Sequence, residues 1–202
     1  MGKIIWGLPP YLAHIFIIIL LTALSYSNSF SNSFHFDDRY VIFEDRAIRD
    51  IGNIPAILKD VFSRPLTRVT FALNYYFGEV DVFGYHLTNL LLHITVSICV
   101  YFLSWLLFKR FEPLTLPSPL RGEGRVRGGS GSFSLMSALI FALHPLQTGS
   151  VTYIASRSAV LATLFYTLAI ILFIIGFEKE GLRKVYLYFG AFFSFFLGIA
   201  VK

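Results

Sequence analysis

The chain has 202 residues, of which 55% are hydrophobic, 17% are aromatic and only 14% are charged. Soluble domains carry about 25% charged residues, so this composition excludes an ordinary soluble domain and indicates a membrane protein. The net charge of +5 does not indicate nucleic-acid binding, because membrane topology accounts for the basic residues. The single cysteine, Cys99, lies in an apolar segment and excludes an internal disulfide and a thiolate zinc cluster.

Five apolar segments approach the length of about 20 residues that a membrane span needs. They are Leu8–Tyr26, Tyr85–Phe108, Phe133–Leu146, Val151–Phe177 and Val185–Val201. These segments predict an all-α membrane protein with about five transmembrane helices. The first segment has an alternative interpretation as a cleaved signal peptide, although no clear small-residue cleavage site follows it.

Basic residues are concentrated in two of the loops between these segments. The second and fourth loops contain Lys109, Arg110, Arg121, Arg125, Arg127, Lys179, Arg183 and Lys184. Because loops rich in Lys and Arg remain in the cytoplasm, we expect both loops to lie inside. The long loop of residues 28–84 and the short turn of residues 144–157 then lie outside.

Residues 113–132, PLTLPSPLRGEGRVRGGSGS, differ sharply in composition from their surroundings. They are rich in Pro, Gly, Ser and Arg, which predicts a disordered cytoplasmic linker. The stretch also resembles the translation of a dispersed bacterial repeat element, which would make it an insertion. It separates residues 1–112, with two spans and the outer loop, from residues 133–202, with the last three spans.

The outer loop contains a predicted amphipathic helix in residues 50–65, DIGNIPAILKDVFSRP. Apolar side chains recur on one helix face at Ile54, Ile57, Leu58, Val61 and Phe62. Asn53 is a candidate N-cap and Pro55 suits the first turn. We expect this helix to lie flat on the membrane, with packing in a small domain of its own as the alternative. Residues 69–78 predict a second interfacial stretch.

Three polar residues share one face at the start of the second span. His86, Asn89 and His93 are spaced i, i+3 and i+7, which places them along one side of a helix. They either line a substrate cleft or form hydrogen bonds that hold neighbouring helices together. Chelation of a metal by the two histidines is not supported, because they are separated by two helical turns.

A second polar group lies in HPLQTGSVTYIASRS and includes His144, Gln147 and Arg157. The segment offers no acidic partner to Arg157, so its guanidinium is a candidate clamp for a phosphate group. Snorkelling of this side chain to the lipid headgroups is the alternative.

The stretch FHFDDRYVI places two adjacent carboxylates, Asp37 and Asp38, directly after the first span. Adjacent acids repel each other, so a purely structural role for both would be unusual. A carboxylate at the membrane surface is a candidate general base, which takes a proton from a reacting hydroxyl.

Four blocks in chain order carry a family resemblance: FHFDDRYVI, RPLTRVTFALNYYFG, FGYHLTNLLLH and LIFALHPLQTGSVTYIASRS. They resemble the membrane half of the transmembrane and tetratricopeptide-repeat O-mannosyltransferases and their bacterial relatives, which have the GT-C glycosyltransferase fold. The resemblance covers nearly the whole chain apart from residues 113–132. Family members have more spans than five, so we expect a partial GT-C fold and a truncated or inactive N-terminal fragment.

The resemblance implies a sugar donor linked to polyprenyl phosphate, a hydroxyl-bearing protein or glycan acceptor, and no cofactor. It places the family's acidic pair at Asp37 and Asp38, of which we favour Asp38 as the base and Asp37 as the residue that orients it. Together with the polar groups above, the candidate residues for binding the substrate or lipid phosphate are Arg64, His86, Asn89, His93, His144, Gln147 and Arg157. Relatives usually have Glu where this chain has Gly149.

The expected location is a bacterial inner membrane, with the acidic pair facing the periplasm and the lipid bilayer as a partner. Two alternatives to an enzyme remain. A transporter or channel fragment would have polar residues at mid-bilayer depth, whereas here they cluster at the outer ends of the spans. A non-catalytic membrane protein would account for Gly149 and for the insertion at residues 113–132.

Overall fold

The computed structural model describes residues 9–111 and 129–201. Within these ranges the chain consists of helices and short turns, without a β-strand. The α-helices in these ranges are α1 Pro10–Ser25, α2 Ile54–Lys59, α3 Pro65–Gly78, α4 Val82–Phe111, α5 Ser130–Leu143, α6 Thr148–Thr152, α7 Arg157–Phe177 and α8 Gly181–Val201. The all-α fold predicted from the sequence is confirmed.

Three helical stretches in the described part of the chain are long and apolar enough to cross a membrane. They are Val82–Arg110, Ile154–Phe177 and Gly181–Val201. Helices α1 and α5 are apolar but have only 16 and 14 residues. All five predicted apolar segments therefore form helices, and three of these reach the length of a complete span.

Helix α4 lies at the centre of the bundle, where it packs against α1, α5 and α7. The hydroxyl of Tyr26, just after α1, donates to the carbonyl of Ala142 near the end of α5 at 3.1 Å, so these helices run in parallel. His14 near the start of α1 hydrogen-bonds Tyr101 in the second half of α4 at 3.0 Å, so α4 runs in the opposite direction. The end that contains Tyr26 and the start of α4 also carries the acidic pair, and is called the polar end below.

Helices α7 and α8 form a hairpin in which aromatic rings cover glycines. A Cβ atom added at Gly198 would lie 2.7 Å from Cε1 of Tyr166, and one added at Gly176 would lie 2.7 Å from Cε1 of Tyr188. Because only glycine leaves room for these rings, the two helices approach closely along their length. Small residues play this role widely in membrane helix pairs, where packing drives association.

The chain between α1 and α4 forms a lobe at the polar end. Its buried cluster contains Ile42, Ile48, Ile57, Phe71, Ala72, Tyr85 and Ile154. Arg68 ties the lobe together, since it donates to both carboxylate oxygens of Asp45 at 2.6 and 2.9 Å. The lobe therefore rests on α4 and on the turn before α7 through a core of its own.

The predicted amphipathic helix in this lobe is shorter than expected. Helix α2 ends at Lys59, and Val61–Ser63 form a separate 3₁₀ turn. Of the five apolar side chains predicted to share its face, Ile57 is buried, whereas Phe62 is fully exposed. Asn53 occupies the predicted N-cap position, but its side chain makes no capping hydrogen bond and donates instead to the carbonyl of Ala47 at 3.3 Å. Residues 69–78, the second predicted interfacial stretch, belong to α3.

The predicted linker falls mainly outside the described residues. Residues 113–128 are not described, whereas residues 130–132 already form the first turn of α5. Helix α5 ends at Leu143, before the proline at position 145, because the residue that precedes a proline is disfavoured in a helix.

Candidate active site

Arg157, the first residue of α7, is completely buried at the polar end. Its Nε atom donates to Oδ1 of Asn89 at 2.7 Å, and one terminal nitrogen donates to Oδ1 of Asn74 at 2.6 Å and to Oγ1 of Thr70 at 3.2 Å. The other terminal nitrogen donates to the carbonyl of Tyr85 at 3.0 Å. These four hydrogen bonds join α3, α4 and α7 through one guanidinium, and we call this set of five residues the Arg157 network.

The placement of Arg157 does not agree with either interpretation of the sequence. A phosphate clamp needs exposed N–H groups, and snorkelling needs a side chain that reaches the headgroups, whereas this guanidinium lies over the ring of Phe71 at 4.4 Å. Burial of a charge is costly unless hydrogen bonds replace its hydration. Neutral oxygens of the Arg157 network provide these bonds, so Arg157 links α3, α4 and α7 in this structure.

The two aspartates of the acidic pair face in opposite directions. Asp38 is buried, with 1% of its surface exposed, whereas Asp37 is exposed. Between Phe34 and Asp37 the backbone passes through Phe36, which has a positive φ of 47° that L-residues rarely adopt. After this turn, the carboxylate of Asp38 is buried and that of Asp37 is exposed to solvent.

Asp38 fastens its loop to the turn before α7. One carboxylate oxygen accepts the N–H of Ala155 at 2.7 Å, and the other accepts the N–H of His35 at 3.0 Å. The carboxylate also interacts favourably with the charge of Arg157. With both oxygens engaged, Asp38 is a positioning group for the residues on either side of it.

Asp37 directly follows Phe36, which lines a cleft of about 420 Å³ at the polar end. The cleft is lined by Asn32, His35, Phe36, Thr152 and Tyr153. The N–H of Asp37 donates to the hydroxyl of Tyr153 at 3.3 Å, which holds Asp37 beside this wall. An exposed carboxylate next to a partly polar cleft is available to a hydroxyl group that binds there.

The three polar residues of α4 bond to backbone carbonyls of neighbouring segments. His86 is buried and its Nε2 donates to the carbonyl of Asn32 at 3.0 Å, while its Nδ1 has no hydrogen-bond partner among the described residues. The amide of Asn89 donates to the carbonyl of Tyr153 at 3.3 Å. His93 donates to the carbonyl of Ala142 at 3.0 Å.

These bonds correspond to the second interpretation of the α4 pattern, in which the residues hold neighbouring segments together. None of His86, Asn89 and His93 is among the residues that line the cleft in the described part of the chain. Nevertheless, two of them act on its walls, because His86 holds the backbone of Asn32 and Asn89 holds that of Tyr153.

The remaining candidates lie at the surface. His144 is exposed and its Nδ1 accepts the N–H of Leu146 at 3.2 Å, which caps the turn Pro145–Gln147. Gln147 is half-buried and accepts the hydroxyl of Ser150 at 3.0 Å. Arg64 is exposed and lines a separate cleft of about 360 Å³. In the described ranges, these three side chains are not part of the wall of the Asp37 cleft.

Sequence reasoning missed Tyr153 and Asn32, and also Thr70, Asn74 and Tyr85 among the acceptors that surround Arg157. Tyr153 lies in LIFALHPLQTGSVTYIASRS, one of the four blocks that carry the family resemblance, so the sequence already indicated that this segment is important. Thr70 and Asn74 are four residues apart on α3, and only the folded chain brings them to the start of α7. Among the described residues, no three His, Cys, Asp or Glu side chains form a group that could hold a metal ion.

Comparison with curated proteins gives a consistent set of relatives. The chain is 27% identical over 191 residues to protein O-mannosyl-transferase TMTC4 of Mus musculus, which covers 88% of the chain and 25% of that protein. It is 26% identical over 171 residues to human TMTC3, covering 78% of the chain and 16% of the relative. It is 35% identical over 108 residues to protein O-mannosyl-transferase tmtc2 of Xenopus laevis, and this match covers 54% of the chain and 10% of the relative.

The chain is a homologue of the protein O-mannosyl-transferases. It spans about a quarter or less of the length of these curated O-mannosyl-transferases. No protein-family profile matches the chain, and no solved structure matches it significantly.

Gly149, where the family resemblance predicts a glutamate, lies at an open position on the surface. Gly149 is exposed at the start of α6, and a Cβ atom added there would have no neighbour within 4 Å. A residue with a Cβ atom is therefore accommodated here without contact with a described residue.

Proposed function

We propose that the chain is part of a GT-C membrane glycosyltransferase that moves a sugar from a polyprenyl-phosphate carrier to a hydroxyl of a protein or glycan. The observation that carries this proposal is the division of the acidic pair: buried Asp38 holds the loop, whereas exposed Asp37 bonds to Tyr153, a residue that lines the cleft. The homologues are named protein O-mannosyl-transferases, which supports a protein acceptor and a mannosyl donor.

Asp37 is the better candidate for the general base. A base must reach the acceptor hydroxyl, and both oxygens of Asp38 already accept backbone N–H groups. This reverses the roles favoured from the sequence. In the proposed step, Asp37 takes the proton while the acceptor oxygen bonds to C1 of the sugar. The bond between C1 and the phosphate oxygen breaks, and the lipid phosphate leaves with the electron pair.

The charge pattern supports an outward-facing site. The polar end carries Asp37, whereas the described basic residues of the predicted cytoplasmic loops lie at the opposite end of the bundle, where Arg110 packs over Phe177 at 4.9 Å. Because basic loops remain inside, the cleft faces the exterior, which is the periplasm in a bacterial inner membrane. A lipid-linked donor presents its sugar at this membrane surface.

The surface candidates retain a proposed part in donor binding. His144 and Arg64 reach the solvent at the polar end, and each provides a group that can pair with a phosphate. The buried residues His86 and Asn89 contribute by holding the backbone of the wall residues Asn32 and Tyr153, and Arg157 holds Asn89.

The test compares Asp37→Asn with Glu44→Gln, a neutralised exposed carboxylate in the same lobe. The purified chain is reconstituted in liposomes, and transfer from a polyprenyl-phosphate-linked mannose to an acceptor peptide is measured. Loss of a positioned base reduces the rate by about 100- to 10,000-fold, while Glu44→Gln should keep the rate and both variants should keep the melting temperature.

Normal transfer by Asp37→Asn would show that Asp37 is not the base. A wild-type chain that transfers no sugar would contradict the activity proposed for this chain and favour the alternative, a non-catalytic membrane protein.

A further inference from the structure

Tyr153 connects the two segments that form the candidate site. It lies between α6 and the 3₁₀ turn Ile154–Ser156. Its hydroxyl accepts the N–H of Asp37 at 3.3 Å, although the two residues are 116 positions apart in the chain. The Tyr153 side chain also forms part of the cleft wall, so one phenol group contacts both the exposed aspartate and the space beside it.

The backbone of Tyr153 is fixed on both sides of the residue. Its carbonyl accepts the side-chain amide of Asn89 at 3.3 Å and the hydroxyl of Ser156 at 2.6 Å. Its N–H donates to the carbonyl of Gly149 at 3.3 Å. Asn89 is in turn held by Arg157. The position of the phenol is therefore set by the buried Arg157 network and not by the exposed loop that it contacts.

The hydroxyl of Tyr153 remains protonated at neutral pH. Partial burial, followed by the hydrogen bond with the side chain of Asp37, raises the pKa of Tyr153 above its ordinary value of 10.0. A protonated phenol can accept one hydrogen bond through its oxygen and donate another through its hydrogen. It can thus bind the N–H of Asp37 and still offer a donor toward the neighbouring carboxylate.

We propose that Tyr153 is the positioning residue for Asp37, and that it transmits the rigidity of the Arg157 network to the exposed carboxylate beside the cleft. This inference rests on the proposed function, because it assigns a role in the same site. Asp38 fixes the loop from the buried side, through Ala155, and Tyr153 fixes it from the cleft side. Without the phenol hydroxyl, Asp37 keeps its place in the chain but loses its fixed orientation.

The experiment uses Tyr153→Phe, which keeps the ring and removes only the hydroxyl. Tyr186→Phe, at an exposed position on α8, is the matched control. Hydrogen–deuterium exchange of the Asp37 amide is measured first, and loss of its acceptor should speed exchange about fivefold, which corresponds to one hydrogen bond of about 1 kcal/mol. Amides in α4 should keep their protection, which shows that the bundle is intact.

The second readout is sugar transfer by the same variants in liposomes. Misplacement of a reacting group by about 1 Å costs about 100-fold in rate. We therefore expect Tyr153→Phe to lower kcat by about 10- to 100-fold with an unchanged KM for the donor, and Tyr186→Phe to change neither constant.

Each other result has a definite meaning. If Tyr153→Phe leaves hydrogen–deuterium exchange of the Asp37 amide unchanged, the proposal is overturned whatever the transfer activity. Faster exchange of this amide with a normal kcat also overturns it. A raised KM with normal kcat would make Tyr153 a binding residue, which also overturns it. If the wild-type chain transfers no sugar, the proposed function fails, and exchange at Asp37 alone then decides whether Tyr153 positions this residue.

Discussion

The polar end of the bundle and the α7–α8 hairpin are held together by different interactions. At the polar end, Arg157 joins α3, α4 and α7 through four directed hydrogen bonds. In the hairpin, rings of Tyr166 and Tyr188 lie over Gly198 and Gly176, and a hydrogen bond from the Ser194 hydroxyl to the carbonyl of Phe165 at 2.8 Å supplements this packing. Directed bonds fix orientation, whereas close packing fixes distance. The candidate site lies at the polar end, where directed hydrogen bonds can fix the orientation of the side chains that a reaction needs.

The largest effect should come from removing the guanidinium that joins the three helices. Arg157→Met should lower the free energy of unfolding by about 3–5 kcal/mol, because it leaves the buried acceptors of the network without donors. Arg157→Lys should restore little, since a single ammonium group cannot reproduce the planar set of donors. Thermal unfolding in detergent measures both variants.

Arg183→Met is the control, because Arg183 is exposed at the start of α8. It should change the stability by no more than about 0.5 kcal/mol. Equal stability of Arg157→Met and the wild type would contradict the structural role assigned to the network.

An intermediate effect should follow from filling the glycine contact in the hairpin. In Gly198→Ala the new Cβ would lie 2.7 Å from the ring of Tyr166, so the ring or the helix must move. Overpacking of this kind costs about 1–3 kcal/mol. Thermal unfolding should show this loss.

Gly190→Ala on the same helix is the matched control, because its Cβ would lie at an ordinary 3.4 Å from Cδ1 of Leu172. It should be neutral or stabilise the helix by up to about 1 kcal/mol, since alanine favours helix more than glycine does. If both substitutions have the same effect, close approach at Gly198 does not hold the hairpin together.

The smallest effect on stability is expected at Gly149. Gly149→Glu introduces the residue that the family resemblance predicts, at a position where an added Cβ atom would have no described neighbour within 4 Å. The free energy of unfolding should change by no more than about 0.5 kcal/mol. Under the proposed function the transfer rate should rise, and Gly149→Gln separates the effect of charge from that of size. A loss of stability above this range would show that the position is filled in the folded protein.

The sequence alone supported the helical architecture more firmly than the site. Apolar segments predicted all five long helices, because burial in lipid requires nearly continuous apolar residues. The amphipathic helix predicted in residues 50–65 ended early at Lys59. The apolar residues do recur with helical spacing. However, Arg68 donates to the hydroxyl of Ser63 and to the carboxylate of Asp60, and these tertiary hydrogen bonds favour a turn after α2.

The candidate site shows the same division between local and tertiary information. The two adjacent acids were sufficient to select Asp37 and Asp38 as candidates, because adjacent like charges repel each other and a purely structural role for both would be unusual. The sequence could not decide which of them faces solvent. That depends on Ala155, which binds Asp38 from 117 positions away, and on Tyr153, which binds the N–H of Asp37.

Composition and periodicity thus determined that this protein is helical, where its apolar helices lie and which polar residues are candidates, because these properties depend on neighbours in the chain. Only the tertiary structure decided that Arg157 is buried and that Asp37, not Asp38, is exposed. The physical reason is that burial and hydrogen bonding of a polar group depend on partners from distant segments. Here those partners come from α3, α4 and the turn before α7.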